Sequence, residues 1–368
     1  MVVTVQHPKP TILIVEDEEG PRNALKIILR PFFELAITSN RQEALQALLA
    51  QPIDLVTLDL KLPDGYGLDL FHAIKRARRG VEIVIITGYG TLRSSQESVR
   101  HGAAGYLLKP FNVTELIALI NRTLERKHRL DDIRGFLRSA PNLWADERSA
   151  ADAWAQLRDR FPVLSSMHPV PPFPGPCDAG DFPLIADLLE ASDHMLLPHA
   201  NRVRNYAALL AAPLNLSSDD QHALAIGAFL HDIGYVALNR WDAGAQETDG
   251  GSDRAEDLHP MLGVRMTAPL GIPEHASHII AHHHERYDGA GHSNGLAGNQ
   301  IPLLARIVGV AQTFDQLTAQ TGQAAMPFTE ACEHLGNQAG TALDPDLVEL
   351  FLERVGESPS AHAAQPHA

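Results

Sequence analysis

The stretch Thr11-Ile12-Leu13-Ile14-Val15-Glu16-Asp17 sets a short apolar, β-branched run directly before two carboxylates. Similar apolar runs alternate with segments of helical periodicity as far as residue 127. The further runs lie at 35–38, 53–58, 81–87 and 105–108, and the helical segments near 21–30, 41–50, 67–78, 92–101 and 112–127. Strands that alternate with helices form a parallel sheet covered on both faces. The pattern therefore predicts a doubly wound α/β domain with five parallel strands.

Chemically active side chains stand where these predicted strands end. Glu16-Asp17 follows the first strand, and Asp59, Thr87 and Lys109 end the third, fourth and fifth. The carboxyl ends of parallel strands share one edge of the sheet, so these groups should converge there. Clustered carboxylates repel one another unless a cation lies among them, and an all-oxygen site favours Mg²⁺. The arrangement predicts phosphoryl transfer onto Asp59, with Lys109 and Thr87 holding the phosphoryl oxygens.

Residues 10–127 resemble the receiver domain of two-component response regulators. Four motifs carry the resemblance: Ile14-Val15-Glu16-Asp17-Glu18, Leu58-Asp59-Leu60-Lys61-Leu62-Pro63-Asp64-Gly65, Ile86-Thr87-Gly88 and Tyr106-Leu107-Leu108-Lys109-Pro110-Phe111. The resemblance implies that a sensor histidine kinase phosphorylates Asp59. It also implies that Asp17 and Asp59 ligate Mg²⁺, that Glu16 assists, and that the Lys61 carbonyl is a further contact. Thr87 and Tyr106 look like the switch pair of such domains, and Lys109 looks like the phosphate-binding lysine.

Charge is distributed unevenly along the 368 residues. Residues 1–127 hold 16 basic and 14 acidic residues and all six lysines, whereas residues 128–368 hold 14 basic and 31 acidic residues. An acidic, lysine-free region is a poor partner for a phosphate backbone, which argues against DNA binding. The sequence shows neither a membrane span nor a signal peptide. Two cysteines, Cys177 and Cys332, make no disulfide framework and favour the cytoplasm.

The organisation of the chain after residue 127 follows from composition. We expect a receiver at 1–127, a helical extension with a proline-rich linker at 128–181, an all-α domain at 182–355 and a disordered tail at 356–368. Six prolines lie between residues 161 and 176, which predicts an extended spacer. The acidic, glycine-rich stretch at 242–257 predicts a mobile loop.

Histidine is concentrated in the predicted all-α domain. Twelve of the 19 histidines lie between residues 182 and 355, in blocks such as His231-Asp232 and His282-His283-His284. Imidazoles with one carboxylate, drawn from separate helices, suit a pair of borderline metal ions (Fe, Mn, Ni, Co or Zn). A bridging carboxylate holds such ions about 3.5–4 Å apart, where they activate water and clamp a phosphate. Histidines that serve only the core or the surface are the alternative.

Residues 189–318 resemble the HD-GYP branch of the HD phosphohydrolases, which hydrolyse cyclic di-GMP to GMP or the linear dinucleotide. The matching motifs are His199-x-x-Arg202-Val203, His231-Asp232-Ile233-Gly234, His259-Pro260-x-x-Gly263, His283-His284-Glu285-Arg286-Tyr287-Asp288-Gly289-Ala290-Gly291 and Ile301-Pro302-Leu303-x-Ala305-Arg306-Ile307. By this resemblance Asp232 bridges two ions. His259, His283 and His284 complete the coordination of one ion, and His199 and His231 coordinate the other.

The resemblance departs from the family pattern in four places. Tyr235 stands where the family has the lysine that contacts the scissile phosphate, and Gly291-His292-Ser293 replaces Gly-Tyr-Pro. Gln312 stands where an aspartate ligates the first ion, and Met195 stands where some members place a glutamate for a third ion. We therefore expect one metal position to be intact and the other to be eroded. Substrate contacts would come from Arg202, Tyr235, Arg286, Asp288, His292 and Arg306.

Two functions remain open from the sequence. The first is a cytoplasmic, homodimeric response regulator whose output hydrolyses cyclic di-GMP or its linear product, with reduced activity. The second is a degenerate output that binds a nucleotide or a partner protein without catalysis. In both cases phosphorylation of Asp59 would control the output.

Overall fold

The computed structural model of the protein describes residues 9–78, 80–88, 103–140, 142–162, 182–238, 251–291, 294–319 and 325–357, with only the backbone for 251–257 and 357. The chain divides into two compact units, Met1–Asp131 and Asp132–Ala368.

The first unit contains the expected five-stranded parallel sheet. Its strand order is β2-β1-β3-β6-β7, and two short strands, β4 and β5, form a separate hairpin. The bounds are β1 Thr11–Val15, β2 Glu34–Thr38, β3 Leu55–Leu58, β4 Lys61–Leu62, β5 Gly65–Tyr66, β6 Glu82–Thr87 and β7 Gly105–Leu108. The register pairs Val15 with Leu58 and Leu58 with Ile85, so the strands end together. The prediction of a doubly wound parallel sheet is confirmed.

Helices cover both faces of this sheet. They are α1 Glu19–Leu29, α2 Arg41–Ala50, α3 Gly67–Ala77 and α4 Val113–Ser139. Successive strand residues point to opposite faces, so Ile12 and Ile14 pack with α1 and α4 while Leu13 and Val15 pack with α2 and α3. The helix predicted near 92–101 lies outside the described residues.

The helical extension belongs to the second unit over most of its length. Helix α4 continues without interruption past residue 127, and α5 spans Glu147–Arg160. Trp154 of α5 is fully buried, and its indole Nε1 donates a hydrogen bond to the Met266 carbonyl at 2.7 Å. The domain boundaries inferred from composition stay predictions.

The described residues of the second unit form helices and one isolated bridge, between Ala339 and Leu343. After α5 the helices are α6 Phe182–Ser192, α7 Leu196–Ala211, α8 Ser218–Leu230, α9 Gly251–Thr267, α10 Glu274–His282, α11 Leu303–Thr318, α12 Phe328–Asn337 and α13 Pro345–Glu357. The expected all-α output is confirmed. Among the described helices, none is both long and apolar enough to cross a bilayer.

The predicted mobile loop at 242–257 is wrong for its last seven residues, because α9 begins at Gly251. Ser252 and Asp253 stand in the first turn, where hydroxyl and acidic residues favour a helix N-terminus. Composition alone could not distinguish an acidic loop from an acidic first turn. The rest of that loop, the proline-rich spacer from residue 163 and the tail from residue 358 lie outside the described residues.

Candidate metal centre and phosphoacceptor site

Asp59 lies at the carboxyl edge of the sheet within a network of hydrogen bonds. The Lys109 ammonium donates to Asp59 Oδ2 and to Glu16 Oε2, both at 2.6 Å. The Lys61 amide donates to Asp59 Oδ1 at 3.1 Å. Glu16, Asp17 and Asp59 each offer an oxygen within 4.8 Å of the others. The structure thus brings together the residues that the strand ends predicted.

The electrostatics of this edge suit a small cation. Glu16 is buried, and its Oε1 has no hydrogen-bond partner among the described residues. Burial raises the pKa of Glu16, and Lys109 offsets this only in part. Burial lowers the pKa of Lys109, but hydrogen bonds to Asp59 and Glu16 outweigh it, so this pKa is raised. A buried carboxylate oxygen without a partner, beside two more carboxylates, fits a Mg²⁺ ligand set.

The two residues that the resemblance nominates as a switch pair, Thr87 and Tyr106, lie on β6 and β7. One supporting residue was not predicted. Thr87 is fully buried at the end of β6, and the Tyr106 hydroxyl is buried without a hydrogen-bond partner among the described residues. Arg22 of α1 donates from Nη1 to the carbonyls of Glu16, at 3.0 Å, and Asp17, at 2.8 Å. These bonds hold the acidic turn in shape. A single arginine in a helix gave no sequence signal for this role.

Four helices of the second unit place the predicted metal ligands. His199 lies on α7, and His231-Asp232 follows α8. His259 lies on α9, and His283-His284 follows α10. The segment after Asp232 approaches α9 so closely that a Cβ on Gly234 would lie 1.9 Å from the His259 carbonyl oxygen. A glycine is therefore required at 234 for His259 to reach the centre.

Asp232 stands between two sets of imidazoles. Its Oδ1 lies 3.3 Å from His259 Nε2 and 3.6 Å from His283 Nε2. Its Oδ2 lies 3.3 Å from His199 Nε2 and 3.4 Å from His231 Nε2. We call Asp232, His259, His283 and His284 the four-ligand group, and His199, His231 and Asp232 the three-ligand group. One carboxylate can thus serve two ions.

The hydrogen bonds of the imidazoles show that these groups fit metal ions. His231 Nδ1 lies 2.8 Å from the Ala228 carbonyl, and His283 Nδ1 lies 3.0 Å from the Ile280 carbonyl. A carbonyl oxygen accepts a hydrogen bond from Nδ1–H, so a neutral imidazole then carries its free lone pair on Nε2. These Nε2 atoms face other Nε2 atoms, at 3.2 Å from His199 and 3.1 Å from His259. Two such nitrogens share either a proton or a metal ion, and the Asp232 oxygens beside them complete a set of metal ligands.

The two groups differ in the charge that their imidazoles carry without metal. Burial lowers the pKa of His231 to about 3 and of His284 to about 2, and it also lowers the pKa of His283. Burial lowers the pKa of His199 too, but hydrogen bonds to Asp232 and Asp315 outweigh it and raise this pKa to about 9. At neutral pH His199 therefore holds a proton that His283 and His284 of the four-ligand group do not.

We expect the two groups to fill with metal in a pH-dependent order. A metal ion binds neutral imidazole, so below a pKa of about 9 the His199 proton must leave first. The affinity of the three-ligand group should rise by about tenfold per pH unit up to that value. Burial lowers the pKa of His283 and His284 in the four-ligand group, so these two imidazoles should release few protons between about pH 6.5 and 8.5. Calorimetric titration with Mn²⁺ in buffers of different ionisation enthalpy measures the released protons; equal release at both sites would contradict the assignment.

The remaining predicted residues surround the centre in different ways. Gln312 is buried on α11, and its Nε2 lies 3.4 Å from the His283 carbonyl oxygen. The Tyr235 ring stacks on the His259 ring, with 4.1 Å between centroids and 12° between planes. His292 lies outside the described residues.

All three arginines that the sequence predicted as substrate contacts form ion pairs with carboxylates. Arg202 pairs with buried Asp315 at 2.6 Å, and Arg306 pairs with buried Asp344. Arg286 and Asp288 form an exposed pair at 2.6 Å. Sequence reasoning could not find these partners, because two of the three are 38 and 113 residues away.

Matches to protein-family models cover the two units separately. A model described as the response regulator receiver domain matches residues 12–121, and a model described as the HD domain matches residues 183–347. The chain is a response regulator with an HD-domain output. Its receiver implies a kinase that phosphorylates it, and its HD domain implies divalent metal binding. Both resemblances inferred from the motifs are confirmed at this level.

Two curated relatives match this chain over nearly their full length, and a third matches half of it. The cyclic di-GMP phosphodiesterase response regulator RpfG of Xanthomonas campestris pv. campestris is 26% identical, over 93% of this response regulator and 86% of the relative. A cyclic di-GMP phosphodiesterase of Thermotoga maritima is 24% identical, over 93% and 90%. The 3'3'-cGAMP-specific phosphodiesterase 2 of Vibrio cholerae is 31% identical, over 50% of this chain and 36% of its own length.

Proposed function

We propose that this response regulator is a metal-dependent phosphodiesterase of the HD-GYP type, acting on cyclic di-GMP or its linear dinucleotide product under the control of Asp59. The observation that carries the proposal is Asp232, whose two carboxylate oxygens face two separate sets of imidazoles at 3.3–3.6 Å. The relatives that match nearly the whole chain are named for cyclic di-GMP. A relative that matches half of this chain is named for 3'3'-cGAMP, another guanine-containing cyclic dinucleotide.

The residues at the output centre have different roles in hydrolysis. The imidazole donors suit Fe, Mn, Ni, Co or Zn, with Asp232 shared between the two groups. When bound, such an ion pair supplies Lewis acidity and activates water toward a phosphodiester. Tyr235 holds the His259 ring by stacking and carries no charge with which to replace the family's lysine.

The positively charged side chains that contact the substrate phosphate must be arginines, since no lysine follows Lys127. Arg202 and Arg306 are tied to carboxylates that are buried, and breaking such pairs is costly. The Arg286–Asp288 pair is exposed, and exposed ion pairs contribute little to stability. Of these three arginines, Arg286 is therefore the one that can leave its carboxylate for an anionic ligand at the lowest cost.

In the receiver, Asp59 is the phosphoacceptor from a sensor histidine kinase. A carboxylate oxygen of Asp59 forms the new P–O bond while the N–P bond of the phosphohistidine breaks, and Lys109 stabilises the transferred phosphoryl oxygens. Glu16, Asp17, Asp59 and the Lys61 carbonyl would hold Mg²⁺, which neutralises phosphoryl charge during transfer. The cytoplasm, where ATP supports such a kinase, is the compartment we propose.

Phosphorylation would reach the output through a change in homodimerisation or in access to the metal centre. Beryllofluoride, which mimics the phosphoryl group, tests this on the intact protein. We expect a change in association state by light scattering, in phosphodiesterase activity, or in both. If neither changes, coupling between receiver and output is refuted.

Metal content and hydrolysis together decide between catalysis and a degenerate output. We expect two ions per chain and turnover of cyclic di-GMP with Mn²⁺ or Fe²⁺. Gln312 and Tyr235 favour the alternative, an output that binds a nucleotide or partner protein without turnover. One ion or none, with nucleotide binding and no hydrolysis, would establish that alternative.

Gln312→Asp should strengthen binding of the more weakly held ion. The side chain is buried on α11 beside the centre, so a carboxylate there adds negative charge and a further oxygen donor. We expect metal affinity to rise by about tenfold or more, measured by competition with a chelator. Gln316→Asp, on the exposed face of the same helix, is the matched control. Unchanged affinity in Gln312→Asp would show that position 312 does not reach an ion.

A further inference from the structure

His199 differs from its neighbouring ligands in what holds the far side of its ring. The Nδ1 atoms of His231 and His283 face backbone carbonyls, which are neutral acceptors. His199 Nδ1 faces Asp315 Oδ2 at 2.7 Å instead. Asp315 is fully buried on α11 and lies 116 residues along the chain from His199.

A second residue of α7 fixes the Asp315 carboxylate. Arg202 stands three residues after His199, so both side chains leave the same face of the helix. Its Nε donates to Asp315 Oδ1 at 2.6 Å, and its Nη2 donates to Oδ2 at 3.0 Å. This two-pronged contact fixes the carboxylate plane and compensates its buried charge.

The consequence for the metal centre follows from the imidazole tautomer. A carboxylate on Nδ1 keeps a proton there and turns Nε2 toward Asp232 Oδ2 and His231 Nε2, at 3.3 and 3.2 Å, where a metal ion can replace the proton on Nε2. Carboxylate partners of this kind orient metal-binding imidazoles and make them stronger donors. The three-ligand group has one ligand fewer than the other group, so its ion depends more strongly on each imidazole.

We propose that Asp315, held by Arg202, is a positioning residue that orients His199 and so maintains the ion of the three-ligand group. Asp315 touches neither substrate nor metal in this role and acts only through His199. The inference rests on the proposed function for the presence of two ions, but not for the identity of the substrate.

Asp315→Asn tests the inference by metal binding on the full-length protein. An asparagine keeps the size of the side chain but loses its charge and offers Arg202 an unfavourable amide. We expect binding at the three-ligand group to weaken by about 10- to 100-fold, with the four-ligand group unchanged. After removal of loosely bound Mn²⁺, the native protein should retain about two ions per chain and the variant about one. Unchanged stoichiometry and affinity would overturn the proposal.

A matched control separates positioning from folding. Asp344→Asn removes another buried carboxylate that pairs with an arginine of the same domain, Arg306, away from the imidazoles. Both variants should melt at lower temperature, but only Asp315→Asn should lose metal. An equal loss in both variants would overturn the proposal, because the effect would then be structural.

Two further readouts do not depend on catalysis. With Zn²⁺ bound, the proton on His199 Nδ1 should give a strongly downfield NMR resonance that vanishes in Asp315→Asn and in His199→Ala. Arg202→Lys keeps the charge but loses the two-pronged contact, so its metal affinity should lie between those of the native protein and Arg202→Gln. No shift of the resonance in Asp315→Asn would contradict the assigned contact. Two retained ions without hydrolysis would instead refute only the proposed function.

Discussion

Asp232→Ala is expected to remove both metal ions and to lower hydrolysis of cyclic di-GMP by more than about 100-fold. Loss of a residue that merely supports a ligand costs about 10- to 100-fold in metal affinity, and Asp232 is itself shared by both ligand groups. Its removal also leaves four imidazole Nε2 atoms without the carboxylate that lies 3.3–3.6 Å from them.

Metal analysis and product formation measured on the same preparation check this expectation. Asp219→Ala removes an exposed aspartate from α8 and is the matched control, with metal content and turnover retained. Hydrolysis by Asp232→Ala at the native rate would place catalysis outside the imidazole centre.

Asp59→Asn is expected to abolish phosphoryl uptake from acetyl phosphate. The amide is a poor nucleophile, and the variant removes the carboxylate that accepts hydrogen bonds from Lys109 and Lys61. Intact-protein mass spectrometry should show one added phosphoryl group in the native protein and none in the variant. Asp69→Asn, an exposed aspartate of α3, should be phosphorylated normally.

The same variant isolates the effect of phosphorylation on the output. If receiver and output are coupled, acetyl phosphate should alter the hydrolysis rate of the native protein and leave that of Asp59→Asn unchanged. An equal response in both proteins would mean that acetyl phosphate acts elsewhere.

Local sequence patterns were sufficient to predict the sheet and the acidic edge. Each strand is a short β-branched run, and a parallel sheet necessarily brings the ends of its strands to one side. Asp59, Thr87 and Lys109 could therefore be placed together without any knowledge of distant contacts. The helix at 251–257 escaped prediction because acidic composition is common to loops and to helix N-termini.

The output centre was predictable only as a list of ligands. Histidine enrichment and the motif resemblance named the imidazoles, but periodicity does not say how helices from separate parts of the chain meet. The contact of Asp315 with His199 and the carboxylate partners of Arg202 and Arg306 all arise from long-range packing. These contacts determine which arginines are available to bind substrate and how the metal ligand His199 is oriented.

The burial of Trp154 has a consequence for where this protein can be cut or recombined. Its indole packs against Trp144, with 5.8 Å between ring centroids, and bonds to the backbone of α9, the helix that carries His259. Emptying a buried tryptophan site typically costs about 3–5 kcal/mol, a large part of the 5–15 kcal/mol that stabilises a domain. A fragment that starts after the proline-rich stretch would therefore be truncated within its own core. The exchangeable module of this protein begins upstream, within helix α4.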